Sequence, residues 1–214
     1  MIRLITSYYT DKDDTRQLEL DTAITNNISN SYIDEVIILS ETNETNHLKN
    51  SKVTILSSER PTFKDFFNII NEKTKDDDIN ILINTDIYVD DSLFNLFKLN
   101  LDNKILCLLR WDYNNGTPII TIPRSDCQDT WIWRGEMRTL SNSNFNLGKL
   151  GCDNRIAWEF ENSGYILENP CSLIKTIHLH TTQKRNYRET LVGEAAHSTN
   201  KDVVPPPYTY IKPI

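Results

Sequence analysis

The sequence has few of the residues that hold phosphate in the commonest nucleotide-binding motifs. Only 6 of its 214 residues are glycine, and none of them forms G-x-G-x-x-G or G-x-x-x-x-G-K-[ST]. A bound nucleotide must therefore be held by other groups. Cysteine is also scarce, because the 4 residues show no C-x-x-C spacing. This pattern indicates reduced thiols in a cytosolic setting.

Long apolar runs and an excess of positive charge are missing as well. No segment approaches the roughly 18 uncharged apolar residues that a membrane-spanning helix needs. The apolar stretch in MIRLITSYYT is too short for a signal peptide. The 23 Lys and Arg against 30 Asp and Glu give a net charge of -7, which opposes sequence-independent binding to nucleic acid. We therefore expect neither a membrane span nor a nucleic-acid partner.

Short apolar segments alternate with helix-like segments through most of the chain. The segments typical of strands are 2–7, 35–40, 52–56, 79–84, 105–109, 131–134 and 173–180. The helical segments are 14–29, one that begins after Thr62, 92–101 and 153–162. Thr62, with Asp65 three residues on, has the spacing of an N-cap with a capping box. This alternation predicts an α/β fold with a central, mixed but mostly parallel sheet flanked by helices. Residues 1–190 form this predicted domain, and the proline-rich residues 191–214 form a tail or the start of a linker.

Polar side chains follow the most apolar predicted strand at its carboxyl end, where ligands of open α/β sheets bind. Asn84, Thr85 and Asp86 stand there in sequence. Their oxygen atoms suit a hard divalent cation such as Mg²⁺ or Mn²⁺. The alternative is an Asx turn that ends the strand and binds no ligand.

Two histidines and two basic residues end a later predicted strand. His178 and His180 are two residues apart, so strand geometry places both rings on one face, from which one of them could reach the same metal. Imidazole beside a carboxylate favours Mn²⁺ over Ca²⁺, whereas the alternative is a pair of histidines bonded to the backbone. Lys184 and Arg185 offer positive charge to a diphosphate, unless they belong to a solvated loop.

Aromatic residues provide candidate contacts to a sugar or a base. Trp131 and Trp133 flank Ile132, so they share one face of a strand. Flat rings near polar groups suit the apolar faces of a sugar, although tryptophan at this spacing is also typical of a core. Tyr8 and Tyr9 follow the first strand and could stack on a base.

The order of several segments resembles that of the GT-A nucleotide-sugar glycosyltransferases. These segments are TSYY at 6–9, RPT at 60–62, ILINTD at 81–86, GCDN at 151–154 and the late strand histidine. The likeness covers about residues 1–190. More narrowly, QDTWIWRG and GCDNRIAWE resemble segments of the small glycosyltransferase domain of the chlorella-virus capsid glycan system.

This resemblance implies roles for the candidate residues. Asp86 takes the metal-binding place of the family's D-x-D motif, with His178 or His180 as a further ligand, whereas Asn84 departs from the motif because an amide adds no charge. Asp153 stands where many inverting members have a base, unless it only caps a helix, and Asp129 is the second candidate carboxylate. The residues expected to bind the nucleotide-sugar are Thr6, Ser7, Tyr8, Arg60, Asn84, Thr85, Lys184 and Arg185.

The function that follows from this resemblance is transfer of one sugar from a nucleotide-sugar to a glycan or glycoprotein acceptor. The implied donor is a UDP-sugar, the implied cofactor is Mn²⁺ or Mg²⁺, and the implied location is the cytoplasm, or the host cytoplasm for a viral protein. The alternatives are a sugar-nucleotide pyrophosphorylase and a non-catalytic carbohydrate- or nucleotide-binding module. The pyrophosphorylase is disfavoured because TSYYTDKDD lacks a glycine-rich loop after the first strand.

Overall fold

The computed structural model of the chain describes residues 1–114, 116–120, 124–179 and 203–214. The strands are β1 Ile2–Tyr8, β2 Glu35–Ser40, β3 Val53–Ser57, β4 Ile79–Ile83, β5 Ile87–Val89, β6 Lys104–Leu108, β7 Trp111–Asn114, β8 Thr117–Ile119, β9 Thr130–Arg134, β10 Ile166–Glu168 and β11 Thr176–His178. The α-helices are α1 Asp14–Ser29, α2 Phe63–Lys73 and α3 Cys152–Asn162, and the 3-10 helices are Asn46–Leu48 and Asp91–Lys98. None of these helices has the length and apolar character that crossing a bilayer requires.

A seven-stranded sheet forms the centre of the fold in the order β10-β6-β9-β4-β1-β2-β3. The pairs of β1 with β2, β1 with β4, β2 with β3 and β10 with β6 are parallel. Only β9 runs against its two neighbours, β4 and β6. The prediction of a mixed, mostly parallel sheet flanked by helices is therefore confirmed.

Each face of this sheet is covered by helices, because the strands expose apolar side chains on both sides. Leu20, Ile24 and Ile28 of α1 join one buried cluster, which contains alternate residues of the central strands. The aromatic face of α2 and the apolar face of α3 join the cluster on the other side. Thr62 begins α2 with the predicted capping box, in which its hydroxyl and the Asp65 carboxylate bond each other's backbone N–H groups.

A second, four-stranded sheet with the order β5-β11-β7-β8 forms beside the carboxyl ends of the central strands. In it β11 pairs antiparallel with β5 and parallel with β7, and His178 lies opposite both Ile87 and Asp112. The strand predicted over 173–180 thus begins too early, because residues 171–174 form a turn and β11 begins only at Thr176. The predicted helix at 92–101 is a 3-10 helix that Asp90 caps.

Residues 203–214 run back along α3 and pack on the domain. Val203, Val204 and Ile211 are buried. The backbone N–H of Val204 donates to the Leu150 carbonyl (3.0 Å), and that of Ile214 donates to the Asn169 carbonyl (3.0 Å). This end of the predicted tail is therefore an integral part of the packed structure.

Candidate active site

Asp86 stands just past the end of β4, where its carboxylate meets two cationic side chains. Arg16, in the first turn of α1, donates to Asp86 Oδ2 at 2.6 Å, and His178 Nε2 lies 3.2 Å from the same oxygen. Burial alone would raise the pKa of Asp86, but His178 and Arg16 outweigh it and hold that pKa well below its ordinary range. Asp86 is therefore an anion at neutral pH.

His178 is held between two carboxylates. Its Nδ1 lies 3.0 Å from Asp112 Oδ1, on the opposite side of the ring from Asp86. Burial lowers the pKa of His178, but the Asp86 charge and the hydrogen bonds with Asp112 and Asp86 raise it to about 9. The same hydrogen bond is the main reason that the pKa of Asp112 falls to about 2. The Asp112 carboxylate thus fixes the orientation of the imidazole.

Asp129, immediately before β9, is the next carboxylate along this edge of the sheet. Its Oδ1 accepts from Asn84 Nδ2 at 2.6 Å, and its Oδ2 accepts from Arg110 Nη1 at 3.1 Å and from Cys127 Sγ at 3.3 Å. Arg110 also donates to Asp112 at 3.1 Å. A continuous series of charged and polar side chains therefore joins the ends of β4, β7, β9 and β11.

Asp153 lies in the first turn of α3 and not at its N-cap, which is Gly151. The reading of Asp153 as a helix cap is therefore wrong. Its Oδ2 accepts from the backbone N–H of Gln128 at 3.2 Å, which brings it beside the Asp129 loop. Burial of the carboxyl, followed by the negative charge of Asp129, raises the pKa of Asp153 to about 7. The pKa of this group therefore lies close to neutral pH.

The hydroxyl residues at the end of β1 face the same edge. Thr6 donates to the Ile83 carbonyl at 2.8 Å, and Thr85 donates to the Ser7 carbonyl at 3.0 Å. The Ser7 and Thr85 hydroxyls are 2.9 Å apart. These bonds tie the first strand to the turn that carries Asp86, so the sequence-predicted residues of both segments lie together.

Tyr8 does not have the exposure that stacking on a base requires. Its side chain is 1% exposed. Its hydroxyl donates to Asp21 at 2.5 Å and accepts from Gln17 at 2.7 Å. Burial and the Asp21 carboxylate raise its pKa above the ordinary value. The prediction for Tyr8 is therefore wrong, whereas Tyr9 is only partly buried.

Trp131 and Trp133 share a face of β9, as predicted, but that face is the core. Both side chains are 0% exposed. Trp131 packs edge-on against Phe63 at 5.2 Å, and Trp133 packs edge-on against Phe67 at 5.8 Å between ring centroids. Rings enclosed in this way cannot stack on a sugar, so that prediction is wrong and the core interpretation is correct.

Four predicted residues remain to be located: Arg60, His180, Lys184 and Arg185. Arg60 is exposed beyond the end of β3, and it donates to the Leu147 carbonyl at 3.2 Å. His180, Lys184 and Arg185 lie outside the described residues. Their predicted contacts with metal and diphosphate therefore stay predictions.

Asp86 and His178 together could supply two of the ligands of a metal ion. Two ligand atoms about 2.1 Å from one octahedral ion lie about 3 Å apart, and the observed separation of Oδ2 and Nε2 is 3.2 Å. The Asp112 carboxylate on the other ring nitrogen is the usual second partner of a metal-binding histidine. Within the described parts of the chain, no three His, Cys, Asp or Glu side chains form a fuller ligand set. Water and ligand oxygens would have to supply the other positions.

Sequence reasoning missed three charged residues of the site: Arg16, Arg110 and Asp112. Arg16 is buried in the first turn of α1, and it also donates to the Glu19 carboxylate at 2.9 Å. Arginine is rarely buried, so its burial could not be expected from the sequence. Arg110 and Asp112 alternate around Trp111 at the start of β7. Their alternation at a strand end was the available signal.

Comparisons with known proteins address the fold. No protein-family model matches the chain, and no curated protein matches its sequence. Among solved structures, a mannosyltransferase from Pyrobaculum calidifontis, in complex with GDP-Man and Mn²⁺, is 12% identical with a TM-score of 0.53. The match covers 87% of this chain and 58% of that one.

Two further solved structures are less similar. The 2-C-methyl-D-erythritol 4-phosphate cytidylyltransferase of Francisella tularensis is 16% identical with a TM-score of 0.43, over 63% of this chain and 73% of that one. TarS of S. aureus is 12% identical with a TM-score of 0.37, over 62% and 46%. The sheet order, the helices on both faces and the likeness to the mannosyltransferase show that the chain has a GT-A-type, Rossmann-like α/β fold.

Proposed function

We propose that the chain is a glycosyltransferase that takes its sugar from a nucleotide-sugar donor. The observation that carries this proposal is the placement of three carboxylates, Asp86, Asp129 and Asp153, along the carboxyl edge of the central sheet. Asn84, two residues before Asp86, donates to the Asp129 carboxylate, and the Gln128 N–H, next to Asp129, donates to the Asp153 carboxylate. In open α/β sheets this edge is where a nucleotide binds.

A divalent ion, with Mn²⁺ preferred over Mg²⁺ because a histidine takes part, would be held by Asp86 and His178. Such an ion supplies positive charge to the diphosphate of the donor as the sugar leaves. Asp112 keeps the imidazole turned towards Asp86, and Arg16 keeps the Asp86 carboxylate in place through its 2.6 Å bond. The similar mannosyltransferase contains Mn²⁺ and GDP-Man, which supports this assignment.

Asp153 is the residue best suited to remove the proton from the acceptor hydroxyl. A general base works best when its pKa is close to the operating pH, and the pKa of Asp153 is about 7. Asp129 is held in place by hydrogen bonds from Arg110 and Asn84. Its negative charge is adjacent to Asp153, and it is suited to orient hydroxyl groups of the donor sugar or to face its anomeric carbon.

The donor would lie with its nucleoside along the ends of β1 and β4, near Ser7, Tyr9 and Thr85. We take a UDP-sugar as the first donor to test, because this is the donor that the sequence resemblance implies. Lys184 and Arg185 are proposed to neutralise the diphosphate. The acceptor is proposed to be a glycan or a glycoprotein hydroxyl, which would approach from the side of Asp153.

Donor hydrolysis by the purified protein tests the proposal. We expect slow, Mn²⁺-stimulated release of the nucleoside diphosphate from one member of a panel of UDP- and GDP-sugars. Asp86→Asn should abolish this release, whereas the exposed control Asp126→Asn should leave it unchanged. Release of pyrophosphate that requires a nucleoside triphosphate would instead identify a pyrophosphorylase, and saturable binding without any turnover would identify a binding module.

A further inference from the structure

We propose that residues 203–214, the C-terminal segment, hold the Asp153 carboxylate against the Asp129 loop, with Tyr208 as the positioning residue. This inference rests on the proposed function, because it concerns the group assigned there as the base. Tyr208 acts on Asp153 by packing and does not itself contact the reacting atoms. The segment therefore belongs to the framework of the site, although it is about fifty residues away in sequence.

The C-terminal segment binds the backbone on both sides of Asp153. The Val204 N–H donates to the Leu150 carbonyl at 3.0 Å, just before the start of α3. The Thr209 N–H donates to the Asn154 carbonyl at 3.0 Å, directly after Asp153. A displacement of the segment would therefore move the turn that carries this carboxylate.

Tyr208 packs closely against that turn at Gly151. A Cβ atom placed on Gly151 would lie 2.9 Å from the Tyr208 hydroxyl and 3.2 Å from the Val204 carbonyl oxygen. Gly151 also has a φ of 79°, in the left-handed region that favours glycine. The Tyr208 hydroxyl donates to the Val204 carbonyl, which closes the segment into a compact loop over the start of α3.

The same segment also holds the loop that carries Asp129. The Ile211 N–H donates to the Ser125 carbonyl at 3.1 Å, and the Ile211 side chain is buried in the core. From the helix side, Asn154 Nδ2 donates to the Asp126 carbonyl at 3.2 Å. The C-terminal segment, α3 and the Asp129 loop thus form one connected unit, and the separation of the two carboxylates depends on it.

The electrostatic consequence is that the segment limits the contact of the partly buried Asp153 side chain with water. The ionisable groups that face this carboxylate are Asp129, the thiols of Cys127 and Cys152, and Tyr208. Within the described parts of the chain none of these groups is a cation, so a loss of packing would let water stabilise the ionised form of Asp153. Loosening the segment should therefore make Asp153 a stronger acid and a weaker base.

The test uses Tyr208→Ala in the full chain, with Tyr210→Ala as the matched control because Tyr210 is 57% exposed. The titration of Asp153 is followed by ¹³C NMR of its side-chain carboxyl, assigned with Asp153→Asn. We expect the titration midpoint to fall by about one pH unit or more in Tyr208→Ala, and to stay unchanged in Tyr210→Ala. If Tyr208→Ala does not fold, Tyr208→Leu is used, which keeps an apolar side chain but removes the ring and its hydroxyl, and the titration midpoint should fall in the same direction.

Donor hydrolysis separates this inference from the proposed function. We expect kcat of Tyr208→Ala to fall about tenfold while KM for the donor is unchanged, because only the base has moved. Restored kcat in Tyr208→Phe would support a packing role for the ring. An unchanged Asp153 midpoint in Tyr208→Ala would overturn the inference, whether or not the wild type hydrolyses a donor. Absence of hydrolysis by the wild type would contradict only the proposed function.

Discussion

Replacing Asp153 with asparagine should stabilise the protein in a pH-dependent way. Asparagine keeps the shape of the side chain and can still accept from the Gln128 N–H, but it carries no charge. Asp153 is easier to protonate in the fold than in the unfolded chain, because its pKa is raised to about 7 from the ordinary 3.8. The folded state therefore binds more protons than the unfolded state across this range, and the wild type loses stability as the pH rises.

The size of this effect follows from the two pKa values. A difference of about three pH units at 1.36 kcal/mol per unit gives about 4 kcal/mol in total. Between about 2 and 3 kcal/mol of it should fall between pH 5 and pH 8, where the carboxyl is neutral at one end and ionised at the other in the folded protein. Asp153→Asn should lack this contribution at both pH values.

Urea unfolding at pH 5 and pH 8 measures the effect. All other titrating groups are common to both proteins, so the difference between wild type and Asp153→Asn isolates this carboxyl. We expect the variant to gain about 2 to 3 kcal/mol of unfolding free energy relative to wild type on going from pH 5 to pH 8. Asp126→Asn, an exposed neighbour paired with Arg124, should show no such gain. If the unfolding free energies of wild type and Asp153→Asn differ by the same amount at both pH values, the pKa of Asp153 is not raised.

Three further changes test the packing and charges of the site. Arg110→Ala should lower the free energy of unfolding by about 3 kcal/mol because it leaves Asp129 buried without its cation, whereas the more exposed Arg124→Ala should cost less than about 1 kcal/mol by urea titration. Trp133→Ala should lower the free energy of unfolding by about 4 kcal/mol because a fully buried ring is lost. The control Trp158→Ala removes a partly exposed ring and should lower it by less. Asp86→Ala should remain folded by circular dichroism and lose Mn²⁺-dependent donor binding, and calorimetry that finds unchanged affinity for UDP would reject the metal assignment.

The main elements of the fold were predictable because their signals are local. The apolar residues of α1 recur at helical spacing, and the structure gives this helix the predicted bounds of 14 and 29. The capping box at Thr62 was readable for the same reason. The second sheet was not predicted, although its strand β11 lies within the predicted strand at 173–180. Its other strands, β5, β7 and β8, are only three or four residues long and are defined by their pairing.

The candidate site was predictable where two strand ends meet. Asp86 and His178 were both placed at carboxyl ends of strands, and the structure brings them to 3.2 Å. Their partners Arg16 and Asp112 were missed, because the register of β11 on β7 is a tertiary property. The sequence pattern placed the tryptophans of β9 on one face, but it could not tell whether a helix covers that face.

A crystal structure of the chain with Mn²⁺ and UDP, or with GDP as the alternative ligand, would show whether Asp86 and His178 bind a metal beside the diphosphate. We predict anomalous density for one Mn²⁺ bound by Asp86 Oδ2 or Oδ1 and His178 Nε2, and a diphosphate along the ends of β1 and β4. We also predict that Asp153 faces the open side of the site. A diphosphate bound away from Asp86, with the Asp86 and His178 side chains still bonded only to each other and to their protein partners, would contradict the proposed metal site.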